Sequence, residues 1–357
     1  MKKAAHFLLL PYLQTSPPND ALVRAYRAMN VEVEFYSPDI ESADATMMSA
    51  PLLPVQYGIK WCLRNVFSKR WFEYDYFSCT SEDPIAIAGL LAFIYRKPLI
   101  FLSDEIKSGS YRGDRSEYWK KICRWAMRRA QLTIVNDESR IALQKSYAHM
   151  TDKQEVIVYP GCFLEPPQAL VRRTEPRSEQ VILAFSGGFN MTGGVQWALQ
   201  ALNDYDYLSM IIQPLGIDSL TRLLLLQHRD SDRIKLSDKR LSWQQAWQSM
   251  GEVDIGVAIY HNDSPQFQKM GISSNRLCMF IAMGVPVIVS RQPSFQFVED
   301  YNCGYMVDSQ EQFNQAVQDI SNNLQQMKQN ALRCAQEYIN TAARHQQLLE
   351  KMQRLEH

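Results

Sequence analysis

The sequence contains no CxxC pair, no HExxH, no GxSxG, no Walker loop and no GxGxxG. These absences exclude the common zinc sites, zinc proteases, α/β-hydrolases, P-loop nucleotide hydrolases and the dinucleotide fingerprint. The seven cysteines are scattered and odd in number, with no histidine pair nearby, which fits reduced thiols better than a disulfide framework. Charge of one sign is missing too: 38 basic residues balance 38 acidic ones. A general nucleic-acid binder would need a basic surplus to neutralise phosphates. No apolar run approaches the roughly 20 residues of a membrane span. The N-terminal MKKAAHFLLLPYL is briefly suggestive of a leader, but Pro11 cuts the run and no small-residue cleavage site follows; it reads as a first strand.

What is present is alternation. HFLLLPY, VEVEF, YDYFSC, KPLIFL, LTIV and EVIVY are strand-like, and helices are expected at NDALVRAYRAM with an Asn19/Asp20 cap and near 84–95, 116–130 and 137–147. Strands alternating with helices of this length imply a parallel sheet covered on both faces. Residues 160–180 are rich in proline and charge without periodicity, as in a linker. The alternation then restarts with VILAFS, a glycine-rich turn GGFNMTGG, YLSMIIQ, RIKL and DIGVAIY, with helices near 195–202, 218–227 and 243–250. The expected organisation is an α/β protein with two Rossmann-like, doubly wound domains facing a cleft, over 1–165 and 166–325. A long helix within 326–357 would cross back to the first.

One stretch concentrates the candidate chemistry. Gly271 to Ser290 reads as a polar loop (Gly271, Ser273, Ser274, Asn275), a short apolar helix, Gly284 at its C-terminal end and a β-branched strand. A polar loop feeding a helix N-terminus can cradle an anion, because the N–H groups and the helix dipole point outward there. Arg276 adds a positive charge. The same pattern fits an ordinary αβ unit equally well.

The succession SNRLCMFIAMGVPVIVSRQPSFQFVEDYNCGYMV resembles the signature region of GT-B glycosyltransferases of the family-4 type, in which a basic residue precedes "EAMAxGxPVI" and a later "GxLV". Arg276, the AMGVPVIVS core and the Gly304–Tyr305 pair match. Upstream, LAFSGGFNMTGGVQWALQAL is similar to the first strand and turn of the family's second domain. KPLIFLSDEI, AQLTIVNDESRIALQKSY and VYPGCF stand, in order, where first-domain motifs are found. The resemblance covers nearly the whole chain. It implies the GT-B fold and transfer of a sugar from a nucleoside diphosphate donor to a glycan or lipid-linked acceptor, in polysaccharide or glycoconjugate synthesis, without a cofactor or a metal. No Asp-x-Asp pair lies in a loop suited to a metal-bound diphosphate. There are departures: Met279 and Gly271 stand where two carboxylates grip the donor, and Gly188 and Gly193 where basic residues meet the diphosphate.

The resemblance assigns the leaving group to Ser273, Ser274, Asn275 and Arg276, facing the turn Ser186-Gly187-Gly188, with His261 and Asp263 near the donor sugar. A tight strand-to-helix connection and a solvated loop are the alternatives for the last two groups. Asp104 and Glu105 follow a strand and suit an acceptor base or an acceptor-hydroxyl contact; a helix cap explains them as well. Asn136 and Ser139 read as caps. The aromatic and basic stretches QYGIKWCLRNVFSKRWFEYDYF and EYWKKICRWAMRR fit either a peripheral contact with an anionic membrane or amphipathic surface helices. A cytoplasmic protein, peripheral to the inner face of the membrane, is expected, with no nucleic-acid partner. The competing functions are a nucleotide-sugar epimerase on the same fold and a non-catalytic partner subunit.

Overall fold

The computed structural model describes residues 1–8, 16–38, 52–56, 59–106, 117–164, 180–189, 194–217, 232–236, 251–261 and 264–355. Most of the expected linker and the helices expected near 218–227 and 243–250 lie outside these residues. The chain forms two compact units, Met1–Leu164 with Thr341–His357, and Glu165–Asn340. The expected boundaries were 165/166 and 325/326.

In the first unit the strands are β1 (Lys2–Phe7), β2 (Val31–Ser37), β3 (Leu52–Pro54), β4 (Tyr76–Thr80), β5 (Leu99–Ser103), β6 (Leu132–Val135) and β7 (Val156–Val158). All pair in parallel in the order β3-β2-β1-β4-β5-β6-β7. The helices are α1 (Pro17–Ala28), α2 (Ile59–Asn65), α3 (Glu82–Tyr95), α4 (Glu117–Met127) and α5 (Ser139–Ala148). Helix α3 is apolar around its circumference, as a helix packed on both sides must be. Helix α1 begins at Pro17, two residues before the expected cap at Asn19, with Ser16 in the N-cap position and prolines at its first positions. Pro fits there because its missing N–H has no helical partner anyway. Asn19 is consequently buried in the first turn, where its side chain is available for tertiary bonding.

The second unit repeats the plan with β8 (Val181–Phe189), β9 (Leu208–Ile217), β10 (Ile234–Leu236), β11 (Ile255–Ala258), β12 (Val287–Ser290) and β13 (Gly304–Val307), ordered β10-β9-β8-β11-β12-β13. Its helices are α6 (Val195–Asp204), α7 (Asn275–Ala282), α8 (Gln296–Asp300), α9 (Gln310–Asn322) and α10 (Leu324–Cys334). In both sheets the order reverses beside the first strand, between β1 and β4 and between β8 and β11. Doubly wound sheets take ligands outside the carboxyl ends of strands at that reversal. The central strands β4, β5, β6, β11 and β12 are buried along their whole length, whereas the edge strands β3 and β10 are partly exposed.

The long terminal helix expected within 326–357 is instead broken into pieces. Helix α10 passes into a π turn at Ala335–Ile339, Asn340 takes a left-handed φ of 41°, and α11 (Thr341–Arg354) follows. Asparagine tolerates that conformation better than most residues. Helix α11 packs on α1, burying Leu348 and Met352 in the core of the first unit.

Candidate functional site

In the second unit, four strand or helix termini converge. The last residues of strand β8 include Ser186-Gly187-Gly188, where its pairing with β9 shifts register between Gly187 and Gly188. Gly187 has φ +95°, a conformation that disfavours any side chain, and a Cβ on it would lie 4.0 Å from Nε of Arg276. The turn and the arginine are therefore neighbours. The next residues, 190–193, lie outside those described. Helix α6 resumes with Gly194 at its N-cap, held against Ile259 at the end of β11.

Arg276 sits in the first turn of α7. Ser274 caps that helix: its Oγ accepts from Leu277 N at 3.2 Å and is 2.5 Å from the Tyr260 hydroxyl. Tyr260, just past β11, has its backbone N–H on Ser290 Oγ at 3.2 Å, which fixes it to the end of β12. The Arg276 guanidinium lies over the Tyr260 ring, 4.8 Å from its centroid. Among the described residues no carboxylate pairs with Arg276. Helix α7 itself is pressed onto β11 where Gly256 meets the Phe280 ring; a Cβ there would come within 2.3 Å of it. Glycine at 256 is what allows the helix N-terminus to reach the strand ends.

Of the other sequence candidates, Ser273 is buried and its hydroxyl donates to the Met270 carbonyl. Asn275 is half-buried at the helix start. Gly271 has φ +43°, and its N–H donates to Ser294 Oγ at 3.2 Å. His261 is exposed and stands edge-on to Trp197 at 4.7 Å; partial loss of hydration holds its pKa below the usual imidazole value. Asp263 lies outside the described residues. Met279 is buried. Tyr260, Ser290 and Trp197 escaped sequence reasoning. The only signal was an aromatic residue closing DIGVAIY.

In the first unit, Asp104 follows β5 and accepts from Ser81 Oγ at 2.7 Å and from the Glu105 N–H at 2.9 Å. Burial pushes its carboxyl above the usual range, and those hydrogen bonds only partly oppose the shift. Arg140 donates to its backbone carbonyl at 2.9 Å. Glu105 is exposed. Asn136, expected as a cap, is not one: Asp137 accepts from the Ser139 N–H and hydroxyl, while the Asn136 Oδ1 is buried without a partner among the described residues. Ser81, Asp104 and Asn136 thus follow three adjacent strands, β4, β5 and β6. Beside them, at the sheet reversal, His6 Nδ1 lies 2.7 Å from Ser78 Oγ and its Nε2 3.2 Å from Asn19 Oδ1, with Thr80 also on Asn19. Burial depresses the pKa of His6 to about 4. Among the described residues no cluster of three His, Cys, Asp or Glu side chains suits a metal ion.

Residues 252–352 match the family model described as glucosyltransferase 3-like, C-terminal domain. That span holds the whole loop–α7–β12 arrangement. Sucrose-phosphate synthase from Thermosynechococcus elongatus superposes with a TM-score of 0.73 at 13% identity, covering 99% of each chain. Anabaena HepE, solved in complex with UDP-glucose, gives 0.71 at 14% identity, covering 99% of this chain and 100% of the other. The chain has the GT-B fold. The UDP-GlcNAc 2-epimerase from Neisseria meningitidis, solved bound to UDP-GlcNAc, superposes as well, at 0.64 and 12% identity over 99% of this chain and 100% of that one. No curated protein sequence matches. GT-B architecture accounts for the two reversal points, and the turn–Arg276–α7 group lies at the reversal edge of the second sheet.

Proposed function

We propose that this GT-B protein is a glycosyltransferase that moves a sugar from a nucleoside diphosphate donor to a glycan or lipid-linked acceptor, in polysaccharide or glycoconjugate synthesis. The observation that carries the reading is Arg276: a guanidinium stacked on Tyr260 and without a carboxylate partner among the described residues, beside a glycine turn and a capped helix N-terminus. A cation held this way is preorganised for the charge that develops on a departing diphosphate. In the reaction the bond between the anomeric carbon and the diphosphate oxygen breaks, and its electron pair leaves with the diphosphate. The acceptor oxygen forms the new bond and gives up its proton. Asp104, its carboxyl basicity raised by burial, is the base assigned to that proton, and Glu105 is assigned to acceptor hydroxyls. Ser273, Ser274, Asn275, Ser186, Gly187 and Gly188 are assigned to the diphosphate, and His261 and Asp263 to the donor sugar. Charge neutralisation by Arg276 and helix amides needs no metal. With Met279 and Gly271 at the two carboxylate positions of family-4 enzymes, the protein is a diverged relative of that type.

The test is turnover with a panel of nucleotide sugars, with and without acceptor extract. Transfer that requires acceptor and is lost in Arg276→Ala supports the proposal. Conversion of donor in the absence of acceptor makes the protein an epimerase instead. Failure of any nucleoside diphosphate to bind leaves the partner-subunit reading.

A further inference from the structure

A cavity lies in the first unit, at the opposite end of the sheet from Asp104. About 800 Å3 in volume, it is lined by Phe93, Arg96, Lys97, Arg128, Arg129 and Leu355, among others, and by no carboxylate among the described residues. Roughly 13 Å of β5 separates its floor at Leu99 from Ser103 at the ligand edge, so it is no extension of that edge. Arg128 donates to the Ala148 carbonyl, and Lys97 stands 3.7 Å from Asp75. Arg96 and Arg129 have no carboxylate partner among the described residues. Arg129 lies instead over the edge-on pair Phe93 and Trp125, 4.7 and 4.8 Å from their centroids.

The cations follow the C-termini of α3 and α4, where helix dipoles favour them. That explains the charge but not the aromatics. Phe93 is 53% exposed at the cavity, and Phe72, 70% exposed, meets Tyr95 of the same helix edge-on at 4.7 Å. Arg96 and Arg129 are exposed as well, so these rings stand in water beside cations that have no carboxylate partner among the described residues, an arrangement that gives a soluble surface no packing. A bilayer interface accepts both: aromatic rings settle at headgroup level, and arginines meet lipid phosphates.

We propose that this cavity and its aromatic rim bind the phosphate headgroups of an anionic lipid surface, docking the first unit on the membrane. Flotation with phosphatidylcholine vesicles, with and without phosphatidylglycerol, tests it. Wild-type protein floats only with phosphatidylglycerol. Arg96→Asn with Arg129→Gln lowers the partition coefficient roughly 25-fold, about fivefold per cation, and Phe93→Ser weakens it further. Asparagine is chosen at 96 because that residue has φ +54°. Neutralising Lys153 and Lys235, exposed cations outside the cavity, removes the same net charge and leaves partitioning unchanged. The proposal is overturned if wild-type protein does not float or if the control pair loses as much as the cavity pair. It is also overturned if soluble glycerol phosphate binds the cavity while vesicles do not. None of these readouts involves donor binding, so they stand or fall apart from the transferase assignment.

Discussion

Removing the guanidinium of Arg276 is the sharpest perturbation of the proposed donor site. At about 4 Å from a phosphate charge, and with the effective dielectric near 20 suited to a half-buried group, the bare attraction is about 4 kcal/mol. Dehydration of both partners cancels much of this, and charged hydrogen bonds net about 1.5–3 kcal/mol in proteins. A loss of about 2 kcal/mol in Arg276→Ala corresponds to a roughly 30-fold weaker Kd for the nucleoside diphosphate. Arg276→Lys keeps the charge but not the planar face over Tyr260, and should lose about three- to fivefold. Titration calorimetry of the three proteins with the preferred nucleoside diphosphate, at low and high salt, measures both. The ratio between wild type and Arg276→Ala should shrink as salt screens the contact. Since Arg276 makes no ion pair among the described residues, the thermal midpoint should barely change, which separates a binding defect from a folding one. If Arg276→Ala binds within twofold of wild type, the donor-site assignment is wrong.

Three further outcomes are expected. His6 is neutral in the fold, with a pKa of about 4 against 6.5 when unfolded, so the unfolded chain takes up the proton first as pH falls. Stability should therefore drop by about 3 kcal/mol between pH 6.5 and pH 4, and denaturant titrations of His6→Gln should lack that component. Gly256→Ala drives a methyl into the Phe280 ring and should cost about 1–3 kcal/mol of stability, read as a lower midpoint, while displacing α7 enough to weaken nucleotide binding. Asp104→Asn should lower kcat by at least a hundredfold with donor affinity unchanged, measured by turnover against nucleotide titration. Equal losses in both would place Asp104 outside the chemistry.

Most strands of both sheets were legible because buried parallel strands read as apolar runs whatever their partners, as LIFLS and VIVS do; the half-exposed edge strand β3 was not expected. The start of α7 was legible because a capping serine is a local feature, and Ser274 does cap that helix. What depends on tertiary closure was not. Tyr260 meets Arg276 only after β11 is laid beside β12 and α7 is drawn in over Gly256. The His6–Asn19–Thr80 network joins residues separated by 13 to 74 positions, so Asn19 read as a cap when it is a buried bonding partner. The break before α11 was hidden because a run rich in Gln, Ala and Arg carries no proline or glycine; one left-handed asparagine and a π turn suffice.

On the proposed reading, the two departures from family-4 enzymes belong together. Met279 is 2% exposed, so a carboxylate at that position would be buried where a thioether now packs. Gly271 has φ +43°, which an ordinary side chain adopts only at a cost, and its N–H is already engaged by Ser294. Restoring either acid singly would disturb the loop that positions Arg276 and Ser274. Tyr260 ties that same loop to the ends of β11 and β12 through its hydroxyl and its backbone N–H. Donor affinity in such a site rests on a stacked cation and helix amides, which read the diphosphate and not the ribose. Discrimination between nucleoside bases and sugars then has to come from side chains around the strand ends, such as His261 and Trp197.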